Sequence, residues 1–310
     1  MQLDVSAAGF IVGIVIGLTG MGGGALMTPI LVIFFGVTPS AAISSDVVAS
    51  FILKPIGGSV HARRGTVNWG LVRWLAIGSV PSAFAGAWII SNIGGPDVED
   101  RIKRILGIVL LIAAAGMIVK IWIQSRRPQV DEDAPVHIKP IPTLIIGIVG
   151  GVMVGMTSVG SGSLMIVALM LLYPTMSSKQ LVGTDLVQAV PLVGAAALGH
   201  LLFGNLSLDL TGSVLLGAIP GVYIGARISA RASDRFIRPV LIAVLVISSV
   251  KLLGASNGVV LTCTIAAVVA VITWTATAGR QPTTRSATVV EPSRSRVDVS
   301  SASQTDPDRA

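Results

Sequence analysis

Charge is what this sequence has least of. Only 12% of its 310 residues are Asp, Glu, Lys or Arg, whereas a soluble domain carries roughly 25%. That excludes an ordinary water-soluble domain. Cysteine is nearly missing too. The single Cys263 can form no internal disulfide and leaves no thiol cluster for a metal. The phosphate-loop pattern Gly-x-x-x-x-Gly-Lys-[Ser/Thr] does not occur, and the Gly22-Gly23-Gly24 run has no strand before it. No ATP-driven motor and no enzyme signature stand out, and no cofactor or metal is implied. Acids are scarcer than bases, 15 against 22, for a net charge of +7. The bases fall in short connectors and in the tail, where the positive-inside rule places them, so the excess does not point to nucleic acid. The opening Met1-Gln-Leu-Asp-Val lacks the basic stretch of a cleaved signal peptide, so the first apolar run is expected to be retained.

What is there is hydrophobicity. Apolar residues make up 52% of the chain, and the mean hydropathy is +0.83. Several runs reach the roughly 20 residues that a bilayer crossing needs. The chain reads as a polytopic membrane protein.

Two glycine clusters organise it. Gly17-Leu-Thr-Gly-Met-Gly-Gly-Gly-Ala-Leu-Met27 has a near-copy in Gly155-Met-Thr-Ser-Val-Gly-Ser-Gly-Ser-Leu-Met165. A shift of 138 residues pairs Gly17, Thr19, Gly22 and Gly24 with Gly155, Thr157, Gly160 and Gly162. A shift of 139 then pairs Asp46 with Asp185, His61 with His200, Gly78 with Gly217 and Gly86 with Gly225. A repeat this long sets the architecture.

Val5 to Phe35 is too long for one crossing and short for two. Each piece is about 14 residues, or about 21 Å of helix against a core of about 30 Å. Two half-helices joined by a glycine break fit better, and Ile141 to Tyr173 repeats the pattern. Crossings are expected over 41–60, 70–93 and 105–123, then 181–203, 208–226 and 240–253. Pro55 and Pro191 lie inside spans and suggest kinks. Trp69, Trp74 and Trp88 read as interface anchors.

If each broken run enters and leaves on one face, each half has three full crossings and the halves are inverted. With the N-terminus outside, Arg63, Arg64, Arg73, Lys120, Arg126, Arg127, Lys139, Lys179, Arg227, Arg231, Arg235 and Arg238 fall inside, with the basic tail. Only Arg101, Lys103, Arg104 and Lys251 fall outside. The rival, parallel topology puts Arg227 to Arg238 outside, against the charge rule. The expected fold is therefore an all-α polytopic membrane protein of two inverted repeats. Each repeat has a glycine-broken helical hairpin plus three crossings, and one extra helix follows. The expected divisions are a first repeat over 1–125, a cytoplasmic linker over 126–140 and a second repeat over 141–254. An extra transmembrane helix over 255–279 and a disordered cytoplasmic tail over 280–310 complete the chain.

A helix break at membrane depth exposes backbone amides, and the half-helix after it points its positive end into the break. That suits an anion. The substrate-binding candidates are Thr19, Gly20, Gly22, Gly23 and Gly24, with Thr157, Ser158, Gly160, Ser161, Gly162 and Ser163. Their structural alternative is close helix packing through small residues. Asp46 and Asp185 are repeat-equivalent acids within predicted spans. They are candidates for coupling a proton, or for capping their helices about five residues in. Ser45 and Thr184 precede them and join them as site-shaping candidates. Lys54 could meet an anionic substrate or snorkel. It lies two turns from Asp46, too far to touch it without another helix. His61 and His200 sit at span ends and read as interfacial residues, with a proton relay as the other reading.

The pattern Gly17-x-x-Gly20-x-Gly-Gly-Gly24-x-x-x-x-Pro29, then Pro39-x-x-Ala42, Ser44-Ser45 and Gly65-x-Val67-Asn68-Trp69, resembles the sulfite exporter TauE/SafE family of bacterial permeases. The resemblance covers residues 5 to 278. It implies a plasma-membrane secondary carrier for small anions, often sulfur oxyanions or organosulfonates such as sulfite or sulfoacetate, with no cofactor. The family's glycine signature falls on Gly20, Gly22, Gly23, Gly24 and Pro29, and on Gly160 and Gly162 in the second half. Ser161 stands where the middle glycine would repeat. Expected partners are the small anion, the lipid bilayer and coupling protons. An anion channel and a non-transporting scaffold, docking through the tail, are the alternatives.

Overall fold

The computed structural model describes residues 3–19, 23–63, 65–126, 136–160, 162, 164–229 and 234–278. The expected tail over 280–310 and most of the expected linker lie outside the described residues. Among the described residues there are eleven α-helices and no strand. They are α1 (Leu3–Thr19), α2 (Met27–Phe34), α3 (Pro39–Arg63), α4 (Trp69–Ser91), α5 (Val98–Arg126), α6 (Pro140–Thr157), α7 (Leu164–Leu172), α8 (Ser178–Phe203), α9 (Leu208–Ser229), α10 (Asp234–Leu252) and α11 (Asn257–Ala278). The two long apolar runs are each broken at their glycine cluster, giving α1 with α2 and α6 with α7. A short 3-10 turn over Gly23–Ala25 precedes α2.

Five helices, α4, α5, α6, α8 and α9, hold stretches long and apolar enough to cross a membrane. α3 is as long as they are, but it carries Asp46, Lys54, His61 and Arg63 along its length. Local chemistry sets the starts. The Asn68 side chain accepts the Leu71 amide at 3.1 Å and opens α4. Ser177 and Gln180 cap each other at the start of α8, and Pro140 occupies the first turn of α6, where a missing N–H costs nothing. Pro55 and Pro191 sit within the continuous helices α3 and α8.

Two close helix pairs build the frame. Ser6 of α1 donates to the Ser213 carbonyl of α9 at 2.8 Å. Gly217, Gly221 and Gly225 of α9 then lie against Ser6, Phe10 and Ile14 of α1 in turn. The numbers rise together, so α1 and α9 run parallel. In the same way Gly78 and Gly86 of α4 lie against Leu144 and Val152 of α6, and these also run parallel. Each helix backbone approaches the other closely enough that a methyl group at these glycines would overlap a carbonyl, the usual device where no hydrophobic force separates helix from lipid. Gly78, Gly86, Gly217 and Gly225 thus share one task.

Between the pairs, α3 crosses α8 in the opposite sense. Ser44 meets His200, Phe51 lies on Gly194, and Gly58 lies beside Leu186 and Val190. Two apolar clusters fill the interior. One gathers α1, α2, α5, α9 and α10, the other α4, α6, α7 and α8, and α3 contributes to both. Large apolar side chains such as Ile11, Trp88, Trp122, Leu202 and Leu261 remain exposed, as a lipid-facing surface requires.

Gly217→Ala will lower the thermal midpoint of the purified protein, because the added methyl meets the Ser6 carbonyl. Overpacking of this kind costs about 1–3 kcal/mol. Gly212→Ala, five residues earlier on the same helix and facing open space, will not lower the midpoint, since alanine is the better helix former. Equal midpoints for both variants would contradict the close α1–α9 contact.

Candidate functional site

The two breaks meet in the middle of the bundle. Gly24, at the end of the first, packs directly on the Ser158 carbonyl of the second, and a Cβ there would overlap that carbonyl. Ser158 closes α6 in the left-handed conformation at φ 61°, and its N–H bonds the Val154 carbonyl at 2.8 Å. Gly160 and Gly162 follow at φ 121° and 95°, which an L side chain seldom adopts. Gly20, Gly22, Ser161 and Ser163 lie outside the described residues, as do the surroundings of Thr19 and Gly23.

Asp46 and Asp185 are both buried in this region, 2% and 1% exposed. Each lies eight residues into its helix, not five, and neither caps that helix. Each instead faces the amino end of a half-helix. Asp46 accepts the Thr28 hydroxyl at 2.7 Å in the first turn of α2, and the Ser158 hydroxyl of the opposite half. Asp185 accepts the Gly162 N–H just ahead of α7, and the Gln188 amide at 3.4 Å. The positive ends of α2 and α7 are therefore already matched by the protein's own carboxylates, the arrangement a helix dipole favours.

Lys54 is buried as well, 8% exposed. The crossing of α3 over α8 supplies the second helix that the spacing alone could not. Lys54 is electrostatically coupled to Asp185 and to Asp46, and Lys120 of α5 adds to the field at Asp185. The centre thus holds two carboxylates, one shared ammonium and two half-helix ends.

The hydroxyl candidates divide. Ser158 faces Asp46. Thr157 is taken up by its own turn, donating to the Met153 carbonyl at 2.7 Å and accepting the Val159 N–H at 3.2 Å. Thr184 accepts the Asn68 N–H at 3.0 Å and ties α8 to the start of α4. Ser45 is fully buried, and its hydroxyl has no partner among the described residues.

Sequence reasoning passed over Thr28, Gln188 and Lys120. Thr28 is the lone hydroxyl of α2, where the second half has Ile166. Gln188 is a buried amide one helical turn beyond Asp185. Its side chain joins Asp185, the Ser79 hydroxyl at 3.3 Å and the Met165 sulfur at 3.1 Å. A buried amide beside a buried acid was the available signal.

His200 lies in the last turn of α8, at the span end as expected, and its side chain is turned inward, 1% exposed, between the Ser44 hydroxyl and the Gly155 carbonyl. The His61 side chain lies outside the described residues.

Five helices long and apolar enough to cross a membrane, with two apolar runs broken where buried acids and a base gather, fit a multi-pass membrane transport protein. The chain belongs to the sulfite exporter TauE/SafE family, whose family model matches residues 5–252. It is 39% identical over 256 residues to "Probable membrane transporter protein YjnA" of Bacillus subtilis strain 168, covering 82% of this chain and all of that protein. "Probable membrane transporter protein YdhB" of the same organism is 25% identical over 223 residues, 70% of this chain and 86% of that one. "Probable membrane transporter protein MJ0441" of Methanocaldococcus jannaschii is 26% identical over 257 residues, 76% of this chain and 90% of that one. No solved structure matches.

Proposed function

We propose that this protein is a secondary carrier that exports a small anion, a sulfur oxyanion or organosulfonate such as sulfite or sulfoacetate, across a bacterial plasma membrane. The substrate class follows the name of the family. The observation that carries the reading is the junction of the two breaks, with Gly24 on Ser158 and an acid at each half-helix end.

The two halves are inverted repeats, 1–125 and 141–254, that alternate access around this junction. One fact supports the inversion: α3 and α8, which the shift of 139 residues pairs, run antiparallel. The N-terminus lies outside, and the tail over 280–310 lies in the cytoplasm, as the charge distribution favours. Residue 255 onward adds a helix outside the repeat.

The substrate site comprises the backbone amides of the two breaks and the Ser158 hydroxyl. An anion arriving there meets Asp46 and Asp185 at the positive ends it would use. With both acids ionised, it is repelled. With one protonated, the anion takes over the vacated charge, and Lys54 balances it. Each anion then travels with a proton, and the junction never holds a large unpaired charge.

The test is counterflow in proteoliposomes loaded in turn with sulfite, sulfate, sulfoacetate, taurine, acetate and phosphate. Saturable exchange of a sulfur compound is the expected result, and no exchange of any anion by folded protein would overturn the proposal. Asp185→Asn keeps the size of the side chain and removes its proton. In that variant, exchange will persist but will no longer respond to a pH gradient. An unchanged response would clear Asp185 of coupling.

A further inference from the structure

A second polar region lies away from the junction. A pocket opens where α3 begins, α4 ends, α5 begins and α8 ends. Ser40, Ser44, Glu99, His200 and Asn205 supply its polar lining. Glu99 caps α3, accepting the Ser40 hydroxyl at 2.7 Å and the Ser40 N–H at 3.3 Å. The Asn205 amide donates to the Ser40 oxygen at 3.3 Å. His200 lies deeper, and Ser44 stands two residues ahead of Asp46.

The bonds around His200 can be counted. Its Nε2 lies 2.8 Å from the Gly155 carbonyl, which can only accept, so Nε2 carries a hydrogen. Its Nδ1 lies 3.0 Å from the Ser44 oxygen. The Ser44 hydroxyl also lies 2.9 Å from the Ser40 carbonyl, and it has one hydrogen to give. With a neutral ring, Ser44 donates to Nδ1. With a cationic ring, Nδ1–H donates to Ser44, and Ser44 turns its hydrogen to Ser40. One hydroxyl rotation satisfies both protonation states.

We infer that this pocket is a proton-binding vestibule, with His200 as the group that takes the proton and Ser44 as its adaptor. The surroundings select the ligand. Glu99 is the ionisable group that shares the pocket lining with His200. α3 brings Ser40, Ser44 and Ile43, α4 brings Ile90 and Ser91, and α6 brings the Gly155 carbonyl. Asp46, next along α3, is turned to Thr28. A carboxylate at the pocket repels anions and attracts protons, so this entrance serves the proton and not the anionic cargo. Gly155 is in the second glycine motif, three residues before Ser158. Protonation of His200 is thus felt at the residue that begins the break.

The first arm is independent of any substrate. The chain has three histidines, so ¹⁵N-histidine protein in lipid nanodiscs, compared with His200→Gln, isolates the His200 ring signals. The expected record is a neutral ring protonated at Nε2 at high pH, converting to the cation as the pH is lowered. A ring that stays neutral throughout overturns the inference. The second arm rests on the carrier reading and uses sulfite counterflow. His200→Gln still donates to the Gly155 carbonyl but cannot titrate. It will exchange sulfite without responding to acid on the vestibule side, whereas a wild-type response, or a response to sodium in place of protons, overturns the inference. If sulfite is not carried at all, the carrier reading fails, and the first arm still decides the vestibule.

Discussion

Gly24→Ala will abolish anion exchange and lower the thermal midpoint, although it adds a single methyl group. That methyl would overlap the Ser158 carbonyl and its carbon. Nothing nearby gives way easily. Ser158 is held at φ 61° as the cap of α6, and its hydroxyl is directed to Asp46. To admit the methyl, the two breaks must part, and Asp46 must lose a donor that belongs to the other half. The packing term alone is about 1–3 kcal/mol, and a buried carboxylate left short of a donor adds to it. Thermal unfolding in detergent and counterflow in proteoliposomes measure the two effects. A variant with the wild-type midpoint and full exchange would refute the contact between the breaks.

Lys54→Met will be the most destabilising single change in the centre. Methionine matches the apolar stem of lysine and removes its charge. Asp46 and Asp185 then lose the ammonium they share, and Lys120 remains only on the Asp185 side. Removing one partner from a buried set of charges costs about 3–5 kcal/mol. The loss should be partly repaired in the double variant Lys54→Met with Asp185→Asn, since one of the stranded charges is then gone. The measurement is a double-mutant cycle on thermal stability. Strict additivity of the two changes would show that Lys54 and Asp185 do not share a charge network.

The features legible in the sequence were those written as pattern. The repeated glycine motif marks both breaks: α1 and α6 end at it, and α2 and α7 begin just after it. The pairing of Asp46 with Asp185 is plain from the shift of 139 residues. Their partners were not legible, because those depend on which helices cross. Counting along one helix put Asp46 near a helix start and Lys54 out of its reach. In space, α3 lies across α8, and Lys54 answers first to Asp185. The burial of His200 was hidden for a related reason. A histidine near the end of an apolar run resembles an interface residue until α3 and α6 are placed on both sides of it. Gly78, Gly86, Gly217 and Gly225 were visible as repeats, but their task required knowing that α4 packs on α6 and α1 on α9.

That pairing bears on how the protein is made. α1 has its closest partner not in its own half but in α9, and Ser6 finds Ser213 across 207 residues. A ribosome adding about 5–20 residues per second needs roughly 10 to 40 seconds to supply that partner. Until then α1 sits in the bilayer with its glycine face open, and the first half cannot close on itself. α4 is better placed, since α6 follows it after α5 alone. Assembly should therefore finish late and all at once, when α9 arrives. A chain truncated before Leu208 should insert in the membrane, remain sensitive to protease and be cleared by the cell as an unfinished protein.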